Sequence, residues 1–187
     1  PKGLFLRWDG REVQWAWMFR DSVSQESEFS FGHRAVSKIS MLPEVLRALK
    51  GRFSTVNEVV YTQRFARTTI VPAIVLKDDS EAADKWFKLH HAPATDVGLR
   101  IRHLESIEGE PVFVEGLDED WEESVKRSFP QAQGVIQSAV LMQTAISISR
   151  QIDVWVVVID AGKRGADFAA SYRGNAVWSG HSLKGDP

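Results

Sequence analysis

Cysteine is absent from the 187 residues. That removes disulfides, thiolate metal sites and cysteine nucleophiles together. Tyrosine is scarce, with two residues against seven tryptophans. An excess of one charge is lacking too: 23 Lys and Arg stand against 25 Asp and Glu, a formal net charge of -2. No global field therefore draws the chain to nucleic acid or to an anionic lipid surface. Long apolar runs are missing. The longest, around Trp155–Ile159, falls far below the roughly 18–20 residues of a membrane-spanning helix. The opening Pro-Lys-Gly-Leu-Phe-Leu-Arg-Trp-Asp lacks the order of a secretory signal. There is no Walker loop, no Gly-x-Ser-x-Gly elbow and no His-Glu-x-x-His. What remains is ordinary globular composition, 43% hydrophobic and 26% charged, which excludes a disordered tail, a coiled coil and a collagen-like chain. The expectation is a cytoplasmic α/β protein with no membrane association.

The chain opens with Leu4, Leu6 and Trp8 alternating with Phe5 and Arg7. After Asp9-Gly10 the alternation resumes at Val13, Trp15, Trp17 and Phe19. Such a pattern around Asp-Gly predicts a β-hairpin. Phe29 and Phe31 mark a third strand, completing an antiparallel meander. The tryptophans at 8, 15 and 17 are read as core and sheet filling, with a partner-binding surface as the alternative.

Residues 43–50 read as a helix, with Pro43 in its first turn and Gly51 at its C-terminal cap. Residues 57–63 and 68–76 are strand material, interrupted by Pro72. A second helix is expected over 79–89. A strand over 97–102 should pair with Val112–Val114 across the polar turn Glu105–Glu110. A third helix begins at Asp118 with acids in its first turn and ends at Pro130. Residues 135–148, apolar at 136, 140, 141 and 148, suggest a short strand running into a buried helix. Then the opening pattern returns. Val154–Ile159 is fit for a central strand, Asp160-Ala161-Gly162 reads as a turn, and 166–172 and 176–178 are two more strands. Residues 153–179 thus echo residues 4–31, and internal repetition is the strongest organisational feature.

A three-strand meander, then helix, strand and helix, then a second meander resembles the plan of the actin-like ATPase (RNase H-like) fold. The resemblance implies an α/β fold in which antiparallel meanders are extended by helix–strand units into a mixed sheet. It places a first lobe at about 1–150 and the opening meander of a second, incomplete lobe at 151–187. Val-Val-Ile-Asp-Ala-Gly, residues 157–162, resembles the second phosphate loop of that fold, and Leu4–Gly10 occupies the place of the first. Three stretches, 68–75 with 82–89, 110–130 and 153–178, further resemble a bacterial family of unknown function with this fold (DUF3822).

The resemblance implies nucleotide-binding positions at Asp160 and Gly162, and at Asp9 and Gly10. Glycine permits the tight turn that brings amides to phosphate, and an aspartate holds magnesium or orients water. A plain hairpin turn explains the same residues. The first loop lacks the Asp-x-Gly-Ser/Thr form and is short. A nuclease of this fold needs converging carboxylates, for which Asp9, Glu28 and Asp160 are candidates without any demanding spacing. His90-His91 closes a helix, where a cation is favoured; His103 falls on a strand and His181 in a tail. Lys163 and Arg164 can meet phosphate or simply be solvated. The pairs Arg64/Arg67 and Arg100/Arg102 lack the aromatic interleaving of a nucleic-acid surface; the latter can pair with acids on the next strand. No catalytic set, metal or cofactor follows from the residues themselves; the resemblance alone implies Mg-ATP. The preferred reading is a degenerate, non-hydrolysing actin-like protein that binds or scaffolds an unknown protein partner. The alternative is an ATP-binding actin-like ATPase using Asp160-Ala161-Gly162 at the phosphates.

Overall fold

Asp9 and Gly10 turn the chain as their sequence predicts, between strands β1 (Lys2–Trp8) and β2 (Glu12–Arg20). Strand β3 (Ser27–Ala35) completes the meander. Helix α1 (Leu42–Arg52) follows a short 3-10 turn. Beyond it come β4 (Glu58–Gln63), β5 (Arg67–Val71), a second 3-10 turn and helix α2 (Ala82–His91). Next are β6 (Leu99–His103), β7 (Val112–Asp118), α3 (Glu119–Ser128) and the two-residue β8 (Gln133–Gly134). Helix α4 (Gln137–Ile152) leads into β9 (Trp155–Gly162), β10 (Gly165–Tyr172) and β11 (Asn175–Leu183). The computed structural model describes residues 2–21, 23–24, 26–76, 81–91, 99–103, 111–135 and 137–184. The expected turn at Glu105–Glu110, the helix start at Asp79, residues 97–98 and Ile136 lie outside these.

By its contacts the chain divides into two units: Pro1–Arg64 with Glu119–Val135, and Phe65–Asp118 with Ile136–Pro187. The first carries a mixed five-stranded sheet in the order β3-β2-β1-β4-β8. Strands β1 to β3 run antiparallel, whereas β1–β4 and β4–β8 are parallel. On one face of this sheet Leu4, Leu6, Trp8 and Val13 pack with Leu42, Val45, Leu46, Trp121 and Val125. Helix α1 presents its apolar side because Leu42, Val45, Leu46 and Leu49 recur at three- and four-residue spacing. Pro43 sits in its first turn, with Glu44 at the start and Lys50 and Arg52 at the end, all matched to the helix dipole. It runs through Gly51 to a cap two residues past the expected one, where Phe53 N–H closes it on the Leu49 carbonyl. Helix α3 anchors the core by Trp121, which stacks on Trp8 at 6.0 Å and meets Tyr61 edge-on at 6.4 Å. Its indole donates to the Thr62 carbonyl at 3.2 Å. The buried Glu122 beside it accepts from Tyr61 Oη at 2.8 Å and from Lys126 Nζ at 2.6 Å.

The second unit carries two three-stranded sheets, β5-β7-β6 and β11-β10-β9. Strand β7 pairs antiparallel with both neighbours, and its register sets Glu115 opposite Thr68 and Arg102. Pro72 ends β5 and starts the 3-10 turn Ala73–Leu76, so the run expected over 68–76 is only half strand. Helix α4 covers one face of the β9–β11 sheet through Ala139, Met142, Ala145 and Ser149. Those are not the apolar positions the sequence favours: Val140 and Ile148 are exposed. The helix lies close to its strands, and close approach selects small side chains. Ser149 Oγ shows this, sitting 2.8 Å from Ser171 Oγ and accepting the Gly174 N–H at 2.9 Å.

Candidate functional site

In the first unit, Asp9 and Arg64 follow the C-terminal ends of the adjacent parallel strands β1 and β4. That end of a parallel strand pair is where open α/β sheets place ligands. Both side chains are 6% exposed, and the Arg64 N–H donates to the Trp8 carbonyl at 2.7 Å. The Asp9 carboxylate is engaged in its own turn: Oδ1 accepts the N–H groups of Arg11 at 3.0 Å and Glu12 at 2.9 Å. Gly10 supplies the positive φ of +88° that the turn requires. In the sequence Arg64 reads only as one of a small basic pair with Arg67; its burial at the end of β4 depends on tertiary packing. Glu28 lies opposite Phe19, at the far end of the β2–β3 pair from Asp9, so these two carboxylates do not converge. Among the described residues no group of three or more His, Asp or Glu is placed to hold a metal ion.

In the second unit, Asp160-Ala161-Gly162 is not a turn. Strand β9 runs through Gly162, and the chain reverses one step later, over Lys163 and Arg164. Gly165, with φ of +150°, carries the backbone strain that closes this two-residue hairpin. Asp160 is half-buried, and Gln137 Nε2 donates to its Oδ2. In register, Asp160 stands opposite Asp167, and Asp167 opposite His181. His181 therefore belongs to β11 and not to a tail. Asp167 is buried and accepts the Phe65 N–H at 3.0 Å, where Phe65 takes a positive φ of 55°. The row Asp160, Asp167, His181 was hidden in the sequence because it is assembled by cross-strand register. Gly162 and Lys163 are exposed.

A groove of about 380 Å³ in the same unit is lined by Thr68, Thr69, His90, His91, Trp178 and Ser179, among others. The two histidines close helix α2, as expected from their place. The ring nitrogen Nε2 of His91 donates to the Thr68 carbonyl at 3.2 Å, and Nδ1 of His90 to the Trp86 carbonyl at 2.8 Å. Burial holds His91 below the usual imidazole range, aided by nearby Arg67, His90 and His181; the bond to Thr68 pulls the other way.

Strand β9 is an edge strand, not the central one its composition suggests. Trp155, Val157 and Ile159 stand on the face away from α4 and are 56–60% exposed. Trp178 on β11 shares that face. Its ring stacks on Phe168 at 4.2 Å, and Trp155 stacks on Tyr172 at 4.9 Å. No helix among the described residues is long and apolar enough to cross a membrane.

Two parallel additions to an antiparallel meander, helices on the sheet, and a second meander further on define an actin-like ATPase fold. A solved structure from Bacteroides thetaiotaomicron, described as a protein with actin-like ATPase fold and unknown function, superposes with a TM-score of 0.68 at 16% identity, covering 98% of this chain and 70% of that one. The cytoplasmic domain of EpsL, an inner membrane component of the type II secretion system of Vibrio cholerae, gives 0.55 at 11% identity, with coverage of 98% and 71%. The PilM–PilN type IV pilus biogenesis complex gives 0.53 at 16% identity, with coverage of 98% and 62%. No protein-family model matches the chain, and no curated protein matches it in sequence.

Proposed function

We propose that this chain is a binding or scaffold protein on an actin-like fold that does not hydrolyse nucleotide. The observation that carries the reading is the size and internal bonding of the two hairpin turns. A phosphate cradle needs several successive backbone amides turned toward one point. Here the first turn spends the Asp9 carboxylate on its own two amides, and the second has only two residues between strands. The partner is a protein: two structural neighbours are components of assemblies, one of them solved as a complex with PilN. A lobe division near residue 150, membership in the DUF3822 family and a cytoplasmic location belong to this reading.

One observation favours a second reading, an ATP-binding protein using Asp160 and Gly162. Asp160 is half-buried and oriented by Gln137, as a magnesium-facing carboxylate is. Calorimetry with Mg-ATP separates the two. No saturable heat at millimolar ligand is the expected result. Saturable binding that disappears in Asp160→Ala would overturn the scaffold reading and establish the second. Affinity capture with the intact chain then identifies the protein partner.

A further inference from the structure

The outer strand of the five-stranded sheet, β3, pairs only with β2 among the described residues, and several of the usual defences against further pairing are missing from it. It contains no proline and no lysine, and its ladder to β2 is regular over all nine residues. Exposed edges are normally blunted by such residues, by bulges or by being short. On the face away from the helices, Phe29 and Phe31 are 60% and 74% exposed, with rings stacked 6.4 Å apart. The register sets them beside the exposed Met18 and, further in, Phe5.

The charges along this strand carry the argument further. Strand β3 runs from Ser27 to Ala35, and its midpoint is Phe31. Antiparallel pairing of the strand with itself about Phe31 sets Glu28 opposite Arg34, Phe29 opposite His33 and Ser30 opposite Gly32. All nine residues find partners. Glu28 and Arg34 are both exposed, and neither makes an ion pair among the described residues. Pairing of two copies therefore creates an opposite-charge pair at each end of the ladder. It also brings the two Phe31 rings together on the axis, between the Phe29 rings. The small pair Ser30–Gly32 falls on the other face, where the Trp15 indole already occupies the space above Gly32. A two-fold interface requires one surface to be complementary to itself, and an acid and a base at equal distances from the midpoint satisfy that condition.

We propose that β3 is the interface of a symmetric homodimer, in which two copies pair antiparallel about Phe31 and join their five-stranded sheets into one of ten strands. Opposite charges directly across a strand pair stabilise it and like charges oppose it. The test is sedimentation equilibrium of the full chain over about two decades of concentration. The wild type is expected to be a dimer. Glu28→Arg and Arg34→Glu each bring like charges together at both ends and are expected to weaken dimerisation about tenfold. The combined reversal Glu28→Arg with Arg34→Glu restores it. Phe31→Lys, which places two ammonium groups on the axis, gives a monomer. Circular dichroism confirms that the charge reversals, made on exposed side chains, keep the fold. A monomeric wild type, a dimer indifferent to the single reversals, or a double reversal as weak as the singles overturns the proposal.

Discussion

Replacing Gly165 by alanine tests the geometry of the β9–β10 hairpin. Two independent penalties meet at this residue. Its φ of +150° lies where L side chains are rarely found, a strain of about 1–3 kcal/mol. An added Cβ would also stand 2.0 Å from the Ser182 carbonyl oxygen and 3.0 Å from Leu183 Cα. Both are backbone atoms of the paired strand, so no side chain can swing aside. Relief requires β11 to retreat by more than about 1 Å, given ordinary carbon–oxygen contacts. That sacrifices the end of the ladder where Gly165 pairs with Leu183, at about 1 kcal/mol for each lost bond. The sum is about 3 kcal/mol, or a fall in melting temperature of roughly 6–12 °C for a chain of this size. Gly10→Ala is the internal control. It has φ of +88° but nothing within 4 Å of an added Cβ, so only the left-handed penalty of about 1 kcal/mol applies. Urea unfolding and thermal circular dichroism read both variants. If Gly165→Ala is no worse than Gly10→Ala, the close approach of β11 to the hairpin is refuted.

Other outcomes follow from the buried polar groups. Tyr61→Phe removes the hydroxyl donor from the buried Glu122 carboxylate and should cost about 1–2 kcal/mol, measured by urea denaturation; an unchanged midpoint would contradict the placement of that bond. For His91, burial depresses the folded-state pKa below its ordinary 6.5, so the unfolded chain binds more protons in the window between the two values. Stability therefore rises with pH through that window and is lost as the pH falls below about 6.5. In His91→Gln the melting temperature at pH 5.5 should lie closer to that at pH 7.5 than in the wild type.

The first hairpin was legible because its code is local: an aspartate that bonds the amides two and three residues on, and a glycine that accepts a positive φ. Helix α3 was legible for a similar reason, with acids at its start and Trp121 and Val125 on one side. The mixed character of the first sheet followed from the resemblance in the order of elements. What failed to show were features set by tertiary surroundings. Helix α4 buries Ala139, Ala145 and Ser149, which hydrophobic counting discounts, and exposes Val140 and Ile148, which it favours. Strand β9 is apolar on both faces, the signature of a strand covered on both sides, yet it lies at a sheet edge. The turn after it fell one step late because Gly165, not Gly162, takes the strained φ. Asp9 and Gly10 in the first unit, and Asp160 and Gly162 in the second, could be named from sequence. The burial of Arg64 and the cross-strand row of Asp160, Asp167 and His181 could not be read there, since strand order and register alone create them.

The uneven surroundings of the tryptophans have a spectroscopic consequence. Trp8 and Trp121 are stacked and buried in the first unit, whereas Trp155 and Trp178 stand more than half exposed in the second. Indoles shielded from water emit toward the blue and escape ionic quenchers; indoles in water emit toward the red and are reached by iodide. A single emission spectrum thus carries two reports, separable by a quencher without labelling. Loosening of the first unit in denaturant is then read as emission that reddens and becomes quenchable, against the steady, already quenchable background of Trp155 and Trp178.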